Sequence, residues 1–492
     1  YWDSVKNSSN AADFKAYPYV DPRAPAGGSL TLGKADTFNS LNPFIIKGDP
    51  AEGIAEYVYE TLMARAQDEP FTLYGLLAES VEVPLDRSAI TFTLRAEARF
   101  SDGQPVTVED VLFSYATLRD RGRPNHRRYY GKVTSAQKLD DRRVRFVFAG
   151  DGDREMPLIM GLMPVLPRHR HTPETFEQTS LEKPVGSGPY VVAHVEAPRT
   201  IAYRRNPDWW GRNLPVNAGR FNFDEIRIEF FRDDHALFEA FRTGSIHLRL
   251  ETDPTQWSSA YDFAAVGDGR VLRHEFATGL PAPMRGLALN TRRPFLADAR
   301  VRRALILAFD TDWTNKNLYR GLFTRSQGFF QGSELSSSGR PADDHERALL
   351  ASFPDAVPPT VMRGGPSIEP SSGGRRESLR EALGLLAEAG YTVRDQRLVD
   401  AQGRPVMLEM LAATRAQERI MLSYSRSLRQ LGIGVRVRLV DSAEYESRKR
   451  KFEFDIIPRG IVGGNLPLWV DEGLANYMAG YWNVLDLMQV RD

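Results

Sequence analysis

Residues 99–120, RFSDGQPVTVEDVLFSYATLRD, carry a full set of signals for a turn followed by a helix. Asp102 and Gly103 are turn residues, and Thr107 stands where a helix N-cap is expected. Glu109 and Asp110 then fall in the first helical turn, where carboxylates meet the positive end of the helix dipole. Apolar residues recur at helical spacing after them. The stretch therefore predicts an amphipathic helix over residues 107–120.

A second informative stretch is residues 186–211, GSGPYVVAHVEAPRTIAYRRNPDWWG. Two glycines flank Ser187 ahead of Pro189, which predicts a turn that leads into a hairpin of strands at 190–194 and 201–204. A nucleophile elbow is disfavoured because G-S-G-P lacks the G-x-S-x-G spacing. In addition, Pro189 would block the helix that must follow such an elbow.

The rest of the chain alternates between predicted strands and helices. Strands are predicted at 29–33, 79–83, 89–94, 144–148, 225–231, 406–411, 435–440 and 454–457, and helices at 50–64, 234–243, 377–389, 417–430 and 443–451. Residues 290–310, NTRRPFLADARVRRALILAFD, predict a helix capped by Asp298, with Val301, Leu305 and Ala308 on its buried side. This alternation is typical of α/β architecture.

Composition excludes several classes of function. The chain has 492 residues, which favours about two to four domains. Lys plus Arg equals Asp plus Glu at 64 each, so net charge favours neither nucleic acid nor an anionic membrane as a partner. There is no cysteine, which excludes disulfides, Cys-based zinc sites, iron–sulfur clusters and thiol catalysis. No apolar run approaches the roughly 18 residues that a membrane-spanning helix needs.

Three of these stretches, in this order, resemble the peptide- and nickel-binding extracellular solute receptors known as family 5. Members typically read F-x-D-G-x-P-h-x-A/V-x-D-V-x-F-S, then G-x-G-P-Y followed by N-x-x-W/Y-W-G, then N-x-x-x-P-F-x-D-x-R-V-R-x-A-h-x-x-A-h-D. Residues 329–341, FFQGSELSSSGRP, together with DPRAPAGG and FNSLNPF near the N terminus, resemble the YejA-like branch. That branch serves ABC importers of oligopeptides and of the peptide-nucleotide antibiotic microcin C.

The resemblance implies an α/β fold of the two-lobe periplasmic-binding-protein type (type II, cluster C-like), with an extra inserted subdomain and a central ligand cleft. Lobe I would comprise residues 1–44, 185–285 and 465–492, the inserted subdomain residues 45–184, and lobe II residues 286–464. Ligand binding would favour the closed arrangement of the lobes about a hinge, without chemistry.

The implied function is a non-catalytic receptor that captures oligopeptides, including microcin C-like peptide-nucleotides, and delivers them to an inner-membrane ABC permease. We expect a periplasmic monomer with no cofactor, no metal, no nucleic-acid partner and no membrane span. The polar start YWDSVKNSSN is not a signal peptide, so we expect that a leader has been removed.

In family 5, the segment after the first strand contributes ligand-facing backbone. The corresponding stretch here predicts ligand contacts at Asn42, Lys47, Gly48 and Asp49. Lys47 and Asp49 would meet the carboxylate and amino ends of a peptide. The alternative is that both charges are only solvated at the start of a helix.

Related receptors also place an aromatic side chain over the ligand, and Tyr129 and Tyr130 lie at the matching position. Packing inside the lobe is the alternative for both tyrosines. If Tyr130 contacts the ligand, we expect Tyr130→Ala to weaken binding with little effect on the melting temperature.

Near the C terminus the family pattern is only partly present. Dipeptide and oligopeptide receptors carry G-W-x-x-D-Y-x-x-P there, with an Asp that pairs with the peptide α-ammonium, whereas the aligned position here is Gly464. We therefore expect Asp49 or another carboxylate to take that role, and Arg459 to face the cleft and bind a carboxylate or phosphate. Exposure of Arg459 outside the cleft is the alternative.

Two other functions remain as alternatives. In the first, the protein is a receptor for a non-peptide solute, such as an α-galactoside oligosaccharide or an opine. A metal-dependent hydrolase is the more remote alternative, suggested by His169-Arg170-His171 and by the DDHE sequence at 343–346. Neither has a recognised ligand spacing, and Arg170 raises the electrostatic cost of a cation.

Overall fold

The computed structural model describes residues 14–69, 72–150, 155–251, 253–276, 284–326, 336, 339–353, 357, 359–365, 374–440 and 442–461. The chain divides into two compact units, Tyr1–Leu250 (unit 1) and Glu251–Asp492 (unit 2). Within the described ranges, no helix combines the length and the apolar character needed to cross a membrane.

Unit 1 contains two four-stranded sheets and a two-stranded ribbon. Its strands are β1 (Ser29–Ala35), β2 (Met63–Arg65), β3 (Leu73–Gly75), β4 (Ala78–Glu82), β5 (Ala89–Leu94), β6 (Val133–Lys138), β7 (Arg143–Phe148), β8 (Tyr190–Glu196), β9 (Thr200–Arg205) and β10 (Glu225–Phe231). The first sheet has the order β1-β10-β9-β8, in which only β1 and β10 are parallel. The second has the order β4-β5-β7-β6 and is antiparallel throughout, and β2 pairs with β3.

One hydrophobic core connects the two sheets of unit 1. Tyr203 and Ile226 from the first sheet and Phe92 and Phe146 from the second all belong to it and are nearly inaccessible to solvent. The helices of unit 1 are α1 (Val108–Arg121), α2 (Pro124–Tyr130), α3 (Met156–Gly161), α4 (Pro173–Phe176) and α5 (Asp234–Arg242), with a π-helical turn at Ile54–Val58 and 3-10 turns at Arg168–Arg170 and Pro215–Asn217.

The helix predicted from residues 107–120 is confirmed as α1. Thr107 is its N-cap and forms a reciprocal capping box with Asp110. The buried Asp110 carboxylate also accepts a hydrogen bond from the Arg168 N–H at 2.8 Å. One turn later, Ser114 Oγ accepts from the Leu166 N–H at 2.7 Å. Both polar side chains of the D-V-x-F-S sequence therefore fasten α1 to the chain at 166–168.

The helix predicted over residues 50–64 is wrong. The structure has only the π-helical turn Ile54–Val58, after which the chain extends into β2. Val58 O accepts a hydrogen bond from the Gly188 N–H at 2.9 Å, so the backbone here bonds to a distant segment. A Cβ at Gly186 would lie 2.0 Å from Val58 O, which explains the glycine at this close approach.

Unit 2 is built around a mixed sheet with the order β11-β16-β14-β15, in which β14 is parallel to β15 and β16 and β11 is antiparallel to β16. Its strands are β11 (Met284–Leu289), β12 (Thr392–Arg394), β13 (Arg397–Val399), β14 (Met407–Ala412), β15 (Gly434–Leu439) and β16 (Ile456–Ile461). Its helices are α6 (Pro254–Ser259), α7 (Ala264–Gly267), α8 (Pro294–Ala297), α9 (Ala299–Ala308), α10 (Thr311–Leu318), α11 (Asp344–Leu350), α12 (Pro359–Met362), α13 (Gly374–Glu388), α14 (Arg415–Gln430) and α15 (Ser442–Arg450).

Sequence patterns located most elements of unit 2 correctly. Asp298 caps α9 by accepting from the Arg300 N–H at 2.8 Å, and Val301, Leu305 and Ala308 are fully buried, as predicted. The predicted final strand at 454–457 begins two residues later, as β16, and extends further along its antiparallel pairing with β11.

The predicted lobes and the two compact units divide the chain at different residues. Unit 1 ends at Leu250, whereas the sequence assigned residues 185–285 to lobe I. The stretch 465–492 lies outside the described residues. The division into lobe I, inserted subdomain and lobe II stays a prediction.

Candidate functional site

The loop after β1 is held in place by side-chain amides. Asn42 Nδ2 donates to Phe176 O at 2.8 Å, and Asn42 Oδ1 accepts from the Phe44 N–H at 3.0 Å. Both ends of the Asn42 amide are therefore engaged by the protein itself. Asn42 therefore stabilises the loop. Its contact with a ligand stays a prediction.

The same loop closes on itself around Gly48. The Asp49 N–H donates to Asn39 Oδ1 at 2.8 Å, and Asp49 O accepts from the Asn39 N–H at 2.9 Å. Gly48 has a φ of +81°, and a Cβ there would lie 2.6 Å from the Thr179 side chain, so glycine is required. Lys47 and Asp49 are both exposed on this braced loop. Their charged groups are available to a ligand.

Helix α2, which carries the predicted tyrosines at its C-terminal end, begins next to this loop within unit 1, because the Arg123 N–H at its start donates to Phe44 O at 2.9 Å. Tyr130 is only 4% exposed and belongs to the core of unit 1, and burial raises its pKa. Its ring stacks on His126 with centroids 5.6 Å apart. Tyr129 is half-buried, with the Arg128 guanidinium 5.6 Å from its ring centroid. Of the two tyrosines, only Tyr129 offers an accessible ring.

His126 was not singled out from the sequence, where it reads as one residue of a basic cluster. Burial and the Arg123 charge lower its pKa to about 4, so the imidazole is neutral at pH 7. Within the described part of the chain, His126 Nδ1 and Arg123 Nε are buried and have no hydrogen-bond partner. Two buried polar atoms without a hydrogen-bond partner therefore lie near the predicted ligand loop, one within α2 and one at its start.

A buried carboxyl group lies elsewhere in unit 1 and was also missed. Glu60 is 5% exposed, and its two oxygens accept from Trp209 Nε1 at 3.3 Å and from Trp210 Nε1 at 2.9 Å. Burial raises the pKa of Glu60 to about 8 against the opposing effect of these donors. The two adjacent tryptophans of the second informative stretch therefore donate hydrogen bonds to a buried carboxyl group. Only tertiary structure brings residues 150 positions apart together in this way.

Two of the residues that suggested a metal site have structural roles. His169 Nε2 lies 2.6 Å from Asp102 Oδ2, which joins the 3-10 turn to the turn before α1. Asp343 caps α11 by accepting from the Glu346 N–H at 2.8 Å. No group of three or more His, Asp or Glu residues suited to a metal occurs in the part of the chain that the structure describes.

Arg459 lies on β16, where it pairs with Gly286 of β11. Its side chain lies outside the described residues, as does Gly464. The predicted contact of Arg459 with a ligand stays a prediction.

A family model described as bacterial extracellular solute-binding proteins, family 5, middle region, matches residues 72–479. This chain belongs to that family. Family 5 proteins are substrate-binding receptors that work with ABC permeases.

Three relatives place the chain more closely. It is 46% identical over 457 residues to a protein of Brucella suis biovar 1 (strain 1330) named as a binding protein, covering 91% of this chain and 74% of the relative. It is 40% identical over 469 residues to the peptidoglycan-binding protein YepA of Agrobacterium fabrum, covering 92% and 76%. It is 37% identical over 487 residues to YejA of the same organism, named as a peptide-binding protein, covering 95% and 77%. The resemblance to the YejA-like branch is thereby confirmed.

Solved structures share the fold of this family 5 chain. A periplasmic oligopeptide-binding protein of Thermotoga maritima matches with a TM-score of 0.70 at 20% identity, covering 93% of this chain and 81% of that one. The same protein solved with mannohexaose matches at 0.62 and 21%, covering 88% and 77%. NikA of Brucella suis with Fe(III)-EDTA matches at 0.67 and 22%, covering 92% and 82%. The predicted two-lobe α/β class is confirmed.

Proposed function

We propose that this chain is the receptor of an ABC importer that captures short peptides outside the inner membrane and releases them to the permease. The observation that carries the proposal is sequence identity of 37% and 40%, over at least 92% of the chain, to relatives named for peptide and peptidoglycan binding. Peptides cut from the cell wall are therefore included in the proposed ligand class. Contacts to both lobes would favour the closed form.

The fold by itself does not choose the ligand. The Thermotoga maritima protein is titled as oligopeptide-binding and was also solved with mannohexaose. An α-galactoside or an opine therefore stays an alternative, and a microcin C-like peptide-nucleotide is a narrower form of the peptide proposal.

The exposed charges of the braced loop support a peptide with free ends. Lys47 presents an ammonium that suits a terminal carboxylate, and Asp49 presents a carboxylate that suits an α-ammonium. Because Gly48 and the Asn39 side chain hold the loop in one shape, little ordering cost would accompany binding.

Calorimetry with three probes tests the function: a tetrapeptide of ordinary residues, a stem tripeptide from peptidoglycan, and raffinose. We expect at least one peptide to bind with a dissociation constant of about 1 μM or tighter, roughly −8 kcal/mol. Heat with raffinose alone would replace the peptide proposal by the sugar alternative. Conversion of a bound peptide into products would instead favour the hydrolase.

The predicted contacts are tested with Lys47→Gln and Asp49→Asn. Each removes one charge-assisted contact, so we expect about tenfold weaker peptide binding. Lys15→Gln is the matched control, because Lys15 is also exposed in unit 1. Equal affinity in Lys47→Gln, Asp49→Asn and the control would remove both residues from the site.

A further inference from the structure

Charge is unevenly distributed along unit 2. The 22 residues from Arg419 to Val440 contain five arginines and no Asp or Glu, although acidic and basic residues balance over the whole chain. Arg438 ion-pairs with Glu409 at 2.9 Å. The other four arginines make no ion pair with any residue that the structure describes.

Three of these arginines share one face of α14. Arg419, Arg426 and Arg429 are exposed, and Leu422 between them is 47% exposed. Their spacing of three, four and three residues places them on a single line along the helix. This line is about 15 Å long at 1.5 Å per residue. We call these four residues the arginine stripe.

The opposite face of α14 anchors the helix in unit 2. Met421, Tyr424 and Leu428 are buried in the core, and Tyr424 Oη donates to Leu305 O at 2.6 Å. The arginine stripe is therefore displayed on a rigid support. Further toward the N terminus of α14, Arg415 is neutralised by Glu418 at 2.7 Å, so the unpaired positive charge begins at Arg419.

We propose that the arginine stripe docks an acidic helical surface of a partner protein. Glutamates at the same spacing on a facing helix would each meet one guanidinium fork, which suits paired carboxylate binding. Leu422 would supply the apolar centre and the arginines the charged rim, as in protein interfaces where arginine is enriched.

An anionic membrane is a poorer fit to the same face. Helices that bind membranes insert an apolar face into the lipid boundary, but the apolar face of α14 is already used in the core. Attraction to lipid would also not require the fixed spacing of the three arginines.

The test uses two stapled helical peptides of about 18 residues, roughly 27 Å long. In one, three glutamates repeat the spacing of Arg419, Arg426 and Arg429. The other has the same composition with the glutamates spread around the helix. We expect the first to bind the intact chain more tightly, in fluorescence anisotropy at low salt, and to weaken as salt rises. Arg419→Gln/Arg426→Gln/Arg429→Gln should weaken it by about tenfold, since three exposed ion pairs are lost.

Glutamine keeps the helix, because its helix propensity is close to that of arginine. The control variant Arg145→Gln/Arg199→Gln/Arg376→Gln removes the same charge at exposed positions elsewhere, and it should bind the peptide normally. Calorimetry with the short-peptide probes should be unchanged in both triple variants, which separates this proposal from the function proposed above.

Three outcomes would overturn the proposal. The first is equal binding of the two helical peptides, and the second is binding of the glutamate-stripe peptide to the arginine-stripe variant as tightly as to the intact chain. The third is binding to vesicles of phosphatidylcholine and phosphatidylglycerol that depends on the same three arginines, which would assign the face to a membrane.

Discussion

At the scale of single residues, Glu60 is a carboxylic acid held between two indole N–H groups in the interior of unit 1. Its pKa is raised to about 8 in the folded chain, from 4.5 in the unfolded chain. Between these two values the folded state binds the proton and the unfolded state does not. Stability from this group is therefore fully present below about pH 4.5 and is lost as pH rises through about 8.

This pH dependence should disappear in Glu60→Gln, which keeps a carbonyl acceptor for an indole but does not titrate. We expect the stability of the intact chain, relative to that of the variant, to fall by roughly 2–5 kcal/mol between pH 5 and 9. Thermal unfolding at several pH values measures this difference. Glu56→Gln is the control, because Glu56 is exposed on the π-helical turn that precedes Glu60. Parallel stability curves for the intact chain and Glu60→Gln would contradict the assignment.

Tyr130 shows how burial reverses an expectation drawn from the sequence. Because the ring lies in the core of unit 1, we expect Tyr130→Ala to lower the free energy of unfolding by about 3–5 kcal/mol. The small effect on melting temperature expected from the sequence does not fit this burial. Tyr130→Phe keeps the packed ring and should change stability little, while Tyr129→Ala tests the accessible ring for ligand binding. Denaturant unfolding in which Tyr130→Ala matched the intact chain would contradict the core assignment.

At the scale of elements, helix α1 is fixed by one buried carboxylate. Asp110→Ala would leave the Arg168 N–H and the Thr107 N–H without their acceptor, so we expect a loss of about 2–4 kcal/mol. Glu109→Ala is a matched control in the same helical turn. Its partner Lys138 lies at 2.7 Å on the surface, where such a pair contributes about 0–1 kcal/mol. Equal losses in the two variants, measured by denaturant unfolding, would argue against a special role for Asp110.

Elements with local signals could be predicted from the sequence, and elements defined by distant partners could not. The sequence signals for the N-caps Thr107 and Asp298 lie within a few residues of their helices, and both caps were located correctly. Residues 50–64 have an apolar pattern that suits a helix, but their backbone bonds to a distant segment. No local pattern reports that partner.

The residues of the candidate site also differ in whether the sequence alone indicates them. Lys47, Gly48 and Asp49 were singled out through the resemblance to family 5, and their contact with a ligand stays a prediction, whereas no sequence signal separated the neutral buried His126 from the arginines around it. Its state depends on burial and on the Arg123 charge, and both are consequences of tertiary packing.

At the scale of the whole molecule, the formal net charge is zero and the isoelectric point is about 7.3. Mutual repulsion between copies is then smallest near neutral pH, so we expect a solubility minimum close to pH 7.3 at low ionic strength. Turbidity measured across pH tests this expectation. The triple variant of the arginine stripe should shift the minimum to lower pH, and a minimum that stayed in place would contradict the charge argument.

The attachment of α1 has a consequence for how this family diversifies. Asp110 and Ser114, the acid and the hydroxyl of its most recognisable sequence, accept hydrogen bonds from backbone N–H groups inside the fold. This sequence therefore specifies the fold and does not select the ligand. Binding residues lie disproportionately on loops, so proteins that share one fold can differ in the ligand that they bind. The Thermotoga maritima oligopeptide-binding protein with mannohexaose and NikA with Fe(III)-EDTA show how widely the cargo of a single scaffold can vary.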